Sequence, residues 1–225
     1  MRPRVSIIVP VLNEESTITR LLSQNWVDEA DEIIVADGGS VDRTVELAAL
    51  RAAVVHCDPG RGMQMNAAAK IATGDLLLFL HADIVLRQGS IDVVRNAFTD
   101  PQVVGGCFDI IFDGGDWVSR TFTWIYHHRR PFHIIYGDAG IFCRRDVFLQ
   151  LNGFRNLAIM EDYEFARRLW RTGRMALLTE PIWVSDRRWR KAGLLRTLFI
   201  WIVIQALFTL GFPPQKLGQL YKTVR

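Results

Sequence analysis

The stretch DLLLFLHAD, Asp75 to Asp83, reads as a strand that ends on an imidazole and a carboxylate. Leu76 to Leu80 shows no polar alternation, so both faces of the strand need cover, which is the habit of strands inside parallel sheets. Three similar runs precede it: VSIIVP (Val5 to Pro10), EIIVAD (Glu32 to Asp37) and AVVHC (Ala53 to Cys57). Between them, Ile18, Leu21 and Leu22 form one helical stripe and Val45, Ala48 and Ala49 another. This alternation predicts an α/β fold, a mostly parallel sheet flanked by helices. Ligands of such sheets bind outside the carboxyl ends of the strands. The residues to watch are therefore Asn13 and Glu14, Asp37 with Gly38-Gly39-Ser40, Asp58 to Arg61, and His81 to Asp83.

Composition narrows the partners. With 225 residues and 49% hydrophobic content, the chain can bury one core of moderate size and leave some length for an appendage. Lys+Arg 27 against Asp+Glu 24 leaves +3, too even a balance for a chain whose main partner is nucleic acid. Cys57, Cys107 and Cys143 are odd in number and lack CxxC spacing, which argues against a disulfide framework or zinc site and for a reducing, cytoplasmic setting. The opening MRPRVSIIVPVLNEE is broken by Pro10 and ended by Asn13 and Glu14, so it reads as a first strand rather than a signal peptide. Regularity changes after Asp100-Pro101. VVGGCFDIIF (Val103 to Phe112) predicts a strand whose glycine pair marks a bulge or close backbone approach, and WVSRTFTWIYHHRR (Trp117 to Arg130) an aromatic-rich helix.

Each strand end has a chemical reading and a plainer one. Asp37, followed by glycines, can accept hydrogen bonds from a base or ribose hydroxyl; it can equally be a turn acid. Gly60 and Gly62 bracket Arg61 ahead of a helix, so backbone N–H groups and a guanidinium can face one anion, unless Arg61 is merely solvated. Asp83 suits a hard divalent cation shared with a diphosphate, with His81 on the same side of an extended chain, or else it caps a helix. EDYEFARRLWRTGR, from Glu161, predicts an amphipathic helix with Phe165 and Leu169 on one face and Gly173 as its stop. Acids also favour a helix start through the macrodipole alone.

Taken in order, VSIIVPVLNEE, EIIVADGGSVDRT, GRGMQMNAAAK, LLLFLHAD and MEDYEF resemble the motifs of family 2 glycosyltransferases of the GT-A (Rossmann-like, nucleotide-diphospho-sugar transferase) fold. HAD, GDAG and MEDYEF together resemble a bacterial subgroup of poorly defined substrate. The resemblance reaches to about Trp189 and implies a GT-A domain over residues 1–190, with a nucleotide-binding half about 1–100 and an acceptor half about 101–190. It implies that Pro10, Asn13 and Glu14 line the nucleotide pocket, that Asp37 contacts the nucleoside, and that Asp83 holds Mn2+ or Mg2+ on the donor diphosphate. His81 stands where the family's DxD motif has its first acid, which weakens the expectation of strict metal dependence. Asp162 of the Glu161-Asp162 pair takes the place of the general base in inverting transfer. Asp138, in YGDAG, falls where the acceptor side begins and can bind an acceptor hydroxyl or be a turn acid. Arg188, in DRRWR, matches only the RW end of a QxxRW element whose Gln is missing, so it can clamp the diphosphate or belong to a solvated basic face. The implied donor is a UDP- or GDP-sugar.

Residues 191–225 form the remaining appendage. Thr197 to Phe212 is nearly all apolar but runs only 16 residues, short of the roughly 20 that span a bilayer. Arg187, Arg188, Arg190, Lys191 and Arg196 precede it and Lys216, Lys222 and Arg225 follow. That pattern suits a helix lying on an anionic membrane surface, with a core helix or a homodimer contact as alternatives. A lipid-linked acceptor at the inner face of the cell membrane would explain such attachment. Against the transferase stand a catalytically silent nucleotide-sugar-binding or membrane scaffold protein and a sugar-phosphate nucleotidyltransferase.

Overall fold

The computed structural model describes residues 2–185 and 194–222. The strands are β1 (Val5–Val11), β2 (Glu32–Asp37), β3 (Ala53–His56), β4 (Leu76–Phe79), β5 (Val103–Phe112), β6 (Phe142–Arg144) and β7 (Arg174–Val184). The helices are α1 (Glu15–Leu22), α2 (Thr44–Ala48), α3 (Arg61–Ile71), α4 (Ser90–Ala97), α5 (Trp117–Arg129), α6 (Arg145–Gln150), α7 (Glu161–Trp170), α8 (Leu194–Thr209) and α9 (Pro214–Lys222).

Among the described residues the strands make one sheet in the order β3-β2-β1-β4-β6-β5-β7. β1 pairs in parallel with both β2 and β4, and β2 with β3. β6 alone runs against its neighbours β4 and β5, and β7 returns parallel to β5. The chain thus steps outward from β1 to β3 and then crosses to β4 on the other side of β1. Connections leaving β1 and β4 diverge, and that switch point opens a crevice at the strand ends.

One expectation changes in detail and another is met. The run Asp75 to Asp83 yields a strand only to Phe79, because β6 pairs with Leu76–Leu78 and the chain then turns, Ile84 N–H donating to the His81 carbonyl. The glycine pair of β5 lies between two register shifts against β7, and a Cβ on Gly106 would stand 2.2 Å from the Ala176 carbonyl oxygen, so the close approach is real.

Ile7, Ile8, Leu76, Leu77 and Leu78 are fully buried at the sheet's centre. Phe79, Phe148, Phe154 and Phe165 pack ring to ring, with Phe154 and Phe165 centroids 4.5 Å apart, and this cluster fixes α7 against the end of β4. The C-terminal helices also dock on the core. Ile204 and Leu217 are buried, Trp201 lies 5.5 Å from Tyr136 and Phe208 lies 5.8 Å from Tyr163, centroid to centroid. The opposite stripe of α8, with Phe199 and Ile202, faces solvent. No helix among the described residues is long and apolar enough to cross a membrane.

Candidate active site

A crevice of about 540 Å³ opens at the switch point. Pro10 and Glu14 reach it from the end of β1, Arg61 from the first residue of α3, His81 and Asp83 from the turn after β4, and Glu161 and Asp162 from the first turn of α7. Seven of the residues singled out by sequence thus meet in one cavity. Asn13, Asp37 and Asp138 do not line it, and Arg188 lies outside the described residues.

Asp162 is held on two sides. Its Oδ2 accepts from the backbone N–H of Gly137 at 2.6 Å and its Oδ1 from its own helix at Tyr163 N–H, also 2.6 Å. A Cβ on Gly137 would fall 2.9 Å from both Asp162 Oδ2 and His81 Nε2, so the bare glycine is what lets these two groups converge. Glu161 beside it is buried, with Oε1 3.8 Å from the Arg61 guanidinium. The residue before the pair, Met160, is buried and sits at φ 68°, in the left-handed region. Strain of that kind in a non-glycine residue costs of order 1–3 kcal/mol and collects where geometry matters for function.

Asn13 and Asp37 work one layer back. Asn13 Oδ1 accepts from Val41 N–H, and its own N–H donates to Ser40 Oγ, both at 2.9 Å. The Asp37 carboxylate accepts from the N–H groups of Gly39 and Ser40 at 3.2 and 3.0 Å and lies 3.3 Å from His56 Nδ1. Burial works against its charge, but those hydrogen bonds outweigh it and hold the carboxyl below its ordinary pKa. The two residues together pin the Gly38–Val41 loop beside the crevice.

Asp138 sits behind Gly137. Its Oδ1 is buried with no hydrogen-bond partner, and burial pushes the carboxyl pKa up to about 6, opposed by Arg129 and reinforced by the charge of Asp162. Sequence reading missed Gln64, which lines the crevice and whose buried Nε2 donates to the carbonyls of Val11 and Ala36 at 2.8 and 2.9 Å, tying together the ends of β1 and β2. An amide inside a helix carries no pattern that would have marked it. Also missed were Trp201, Gln215 and Gln219, which bring the C-terminal helices into the crevice wall.

Among the described residues no three His, Cys, Asp or Glu side chains are arranged to hold a metal ion. Asp83 with His81 offers one carboxylate and one imidazole. That pair fits a divalent ion such as Mn2+ only as part of a set that a diphosphate completes with its own oxygens.

Comparison with known proteins agrees with this architecture. The family described as Glycosyl transferase family 2 matches residues 6–156. A PGL/p-HBAD biosynthesis glycosyltransferase of Mycobacterium bovis (strain BCG / Pasteur 1173P2) is 34% identical over 91 residues, covering 36% of this chain and 36% of that protein. The chain therefore spans about a third of the length of the curated relatives it matches. Among solved structures, glucosyl-3-phosphoglycerate synthase from Mycobacterium tuberculosis, in complex with Mn2+ and UDP-glucose, superposes with a TM-score of 0.64 at 20% identity over 94% of this chain and 80% of that one. The mannosyltransferase PcManGT from Pyrobaculum calidifontis, in complex with GDP-Man and Mn2+, gives 0.65 at 19% identity over 99% and 69%. At such identities the superpositions establish the GT-A fold. With the family match reaching from β1 past β6 and the fold in agreement, the chain belongs to glycosyl transferase family 2.

Proposed function

We propose that this chain is an inverting glycosyltransferase that moves a sugar from a UDP- or GDP-linked donor to an acceptor hydroxyl. The observation that carries the reading is the shared cavity: Asp83 and Asp162, 79 positions apart in sequence, line one crevice with Arg61 and the start of α3. The neighbours titled as complexes with UDP-glucose and GDP-Man support a nucleoside-diphosphate sugar as the donor class.

In this reading the acceptor O–H gives its proton to the Asp162 carboxylate as its oxygen bonds to the anomeric carbon from the face opposite the donor linkage. The bond from that carbon to the diphosphate breaks, its electron pair stays on the phosphate oxygen, and configuration inverts. The Gly137 N–H aims Asp162 for that task. Arg61 and the N-terminal N–H groups of α3 face the charge that grows on the departing diphosphate, and buried Glu161 orients the guanidinium. Asp83, with His81 beside it, would hold a divalent ion there, and such an ion would supply further stabilisation of that charge. Pro10 and Glu14 border the nucleotide, with Asn13 and Asp37 holding the adjoining loop toward the nucleoside. Asp138 serves the acceptor side, and Arg188 is a second clamp on the diphosphate. A lipid-linked acceptor at the inner face of the cell membrane accords with the exposed apolar stripe of α8.

Asp162→Asn tests the reading directly. The variant should keep donor-induced thermal stabilisation and lose transfer by about 10²–10⁴-fold, while Asp83→Ala should abolish the metal-dependent part of that stabilisation. Unchanged transfer by Asp162→Asn, or indifference of the wild type to every UDP- and GDP-sugar, sinks it.

A further inference from the structure

We infer that the C-terminal helices build the acceptor subsite and that it takes a neutral, polyhydroxylated acceptor, with Trp201 as its apolar platform and the Gln215 and Gln219 amides reading hydroxyls. The inference rests on Asp162 as the base, since it names what lies beside that carboxylate. The strand-end side of the crevice, with Arg61 and Asp83, is where charge for a diphosphate gathers. The remaining wall comes from Asn156–Ile159 and from α8 and α9.

Trp201 belongs to the Asp162 end. Its ring packs 5.5 Å from that of Tyr136, whose neighbour Gly137 donates to Asp162, and Tyr136 in turn lies 5.8 Å from Tyr163. The Tyr136 hydroxyl donates to Gln205, which ties α8 to the same loop. Gln215 and Gln219 are four residues apart on α9, hence on one face one turn apart, and both line the crevice. α9 is held close there: Leu217 is buried, and a Cβ on Gly218 would stand 3.1 Å from Ala158 Cβ.

The chemistry of this wall selects its ligand. A sugar or polyol offers C–H surface to an indole and hydroxyls that both donate and accept, and primary amides answer both roles. Among the described residues this part of the wall places no charged side chain in the crevice. A phosphorylated acceptor would bring negative charge toward Asp162 and Glu161 with no cation to meet it among the described residues of α8 and α9 that line the crevice.

Saturation-transfer NMR on the full chain tests this, with diamagnetic Mg2+ and whichever of UDP or GDP stabilises the protein, using methyl α-glucoside, methyl α-mannoside and glycerol 3-phosphate as probes. At least one glycoside should receive saturation and glycerol 3-phosphate should not. The signal should fall at least fivefold in Trp201→Ala and in the Gln215→Ala/Gln219→Ala double variant, survive in Trp201→Phe, and leave the nucleotide-induced melting shift unchanged. The glutamines are exposed, so the double variant keeps the test open even if Trp201→Ala fails to fold. No glycoside signal in the wild type, preference for glycerol 3-phosphate, or full signal in the double variant overturns the inference. Loss of the nucleotide shift in the double variant also overturns it, by assigning these residues to the donor. If neither nucleotide stabilises the wild type, that failure falls on the donor reading, and glycoside binding without nucleotide still decides the subsite. Co-sedimentation with vesicles containing monoglucosyldiacylglycerol, against vesicles without it, assigns the sugar to a lipid-borne source when binding rises and to a free one when it does not. Both results carry the same subsite.

Discussion

A Cβ on Gly137 would meet Asp162 Oδ2 and His81 Nε2 at 2.9 Å each, so Gly137→Ala must push two crevice groups off their positions at once. Displacement of a reacting group by about 1 Å can cost 10²-fold. The expected result is a loss of transfer of about 10–100-fold, read by initial rates, with the metal-dependent part of donor-induced stabilisation weakened as His81 moves, read by thermal shift. Asp138 behind it offers a second measurement. Its carboxyl pKa stands at about 6 against an ordinary 3.8, so the folded protein keeps a proton that the unfolded chain has already released. The stability tied to that proton is whole below the unfolded value and is lost as pH rises through about 6. Asp138→Asn is neutral throughout and escapes the loss. Relative to wild type it should gain on the order of 1–3 kcal/mol between pH 4 and pH 7.5, measured by urea melts at both; parallel melts would show that charging Asp138 costs nothing. Acids and bases at strand ends were legible because topology sends those ends to one place. The neutral groups that orient them, Gly137 N–H and the Gln64 amide, were not, since a backbone N–H and a helical glutamine look alike in any sequence.

The entry to α7 shows how an element is aimed. Met160 at φ 68° turns the chain so that Glu161 and Asp162 start the helix facing the crevice. Met160→Ala and Met160→Gly both remove the buried thioether, but only alanine still pays for the left-handed backbone. The glycine variant should therefore be the more stable of the two by about 1 kcal/mol, by chemical denaturation; equal midpoints would mean that the turn is unstrained. β1, β2, β3 and β5 and helices α5 and α7 were legible from apolar runs and periodicity. β7 was not. It carries Pro181 in its interior, which argues against a strand unless the strand lies at an edge or bulge, and β7 is both the sheet's last strand and shifted in register there. β6, three residues long, gives no period at all. α8 is apolar on every side, so its sequence named no inner face; only packing separates the stripe of Thr197, Trp201, Ile204 and Phe208 from that of Phe199 and Ile202.

That outer stripe leaves one large question for the molecule as a surface. Phe199 and Ile202 are 67% and 60% exposed on α8, and Leu210 and Phe212 continue the apolar surface at 79% and 51% into the turn before α9. Large apolar patches left in water mark contact with something else. Basic residues flank this segment in sequence, Arg187, Arg188, Arg190, Lys191 and Arg196 before it and Lys216, Lys222 and Arg225 after it, which fits an anionic bilayer better than a second copy bearing the same charges. A helix of 16 residues is about 24 Å long, under the roughly 30 Å of a hydrocarbon core, so it would lie along the surface with Trp201 still turned to the crevice. The protein should co-sediment with phosphatidylglycerol vesicles, release as salt rises, and bind at least tenfold more weakly after Phe199→Ser/Ile202→Ser, with nucleotide-induced stabilisation unchanged. If vesicles leave it in the supernatant while light scattering gives a dimer mass that the same double variant reduces to a monomer, a second copy covers the stripe instead. Because one helix would then carry a crevice wall on one side and a docking face on the other, the vesicle result also decides whether an acceptor can reach Asp162 directly from the membrane.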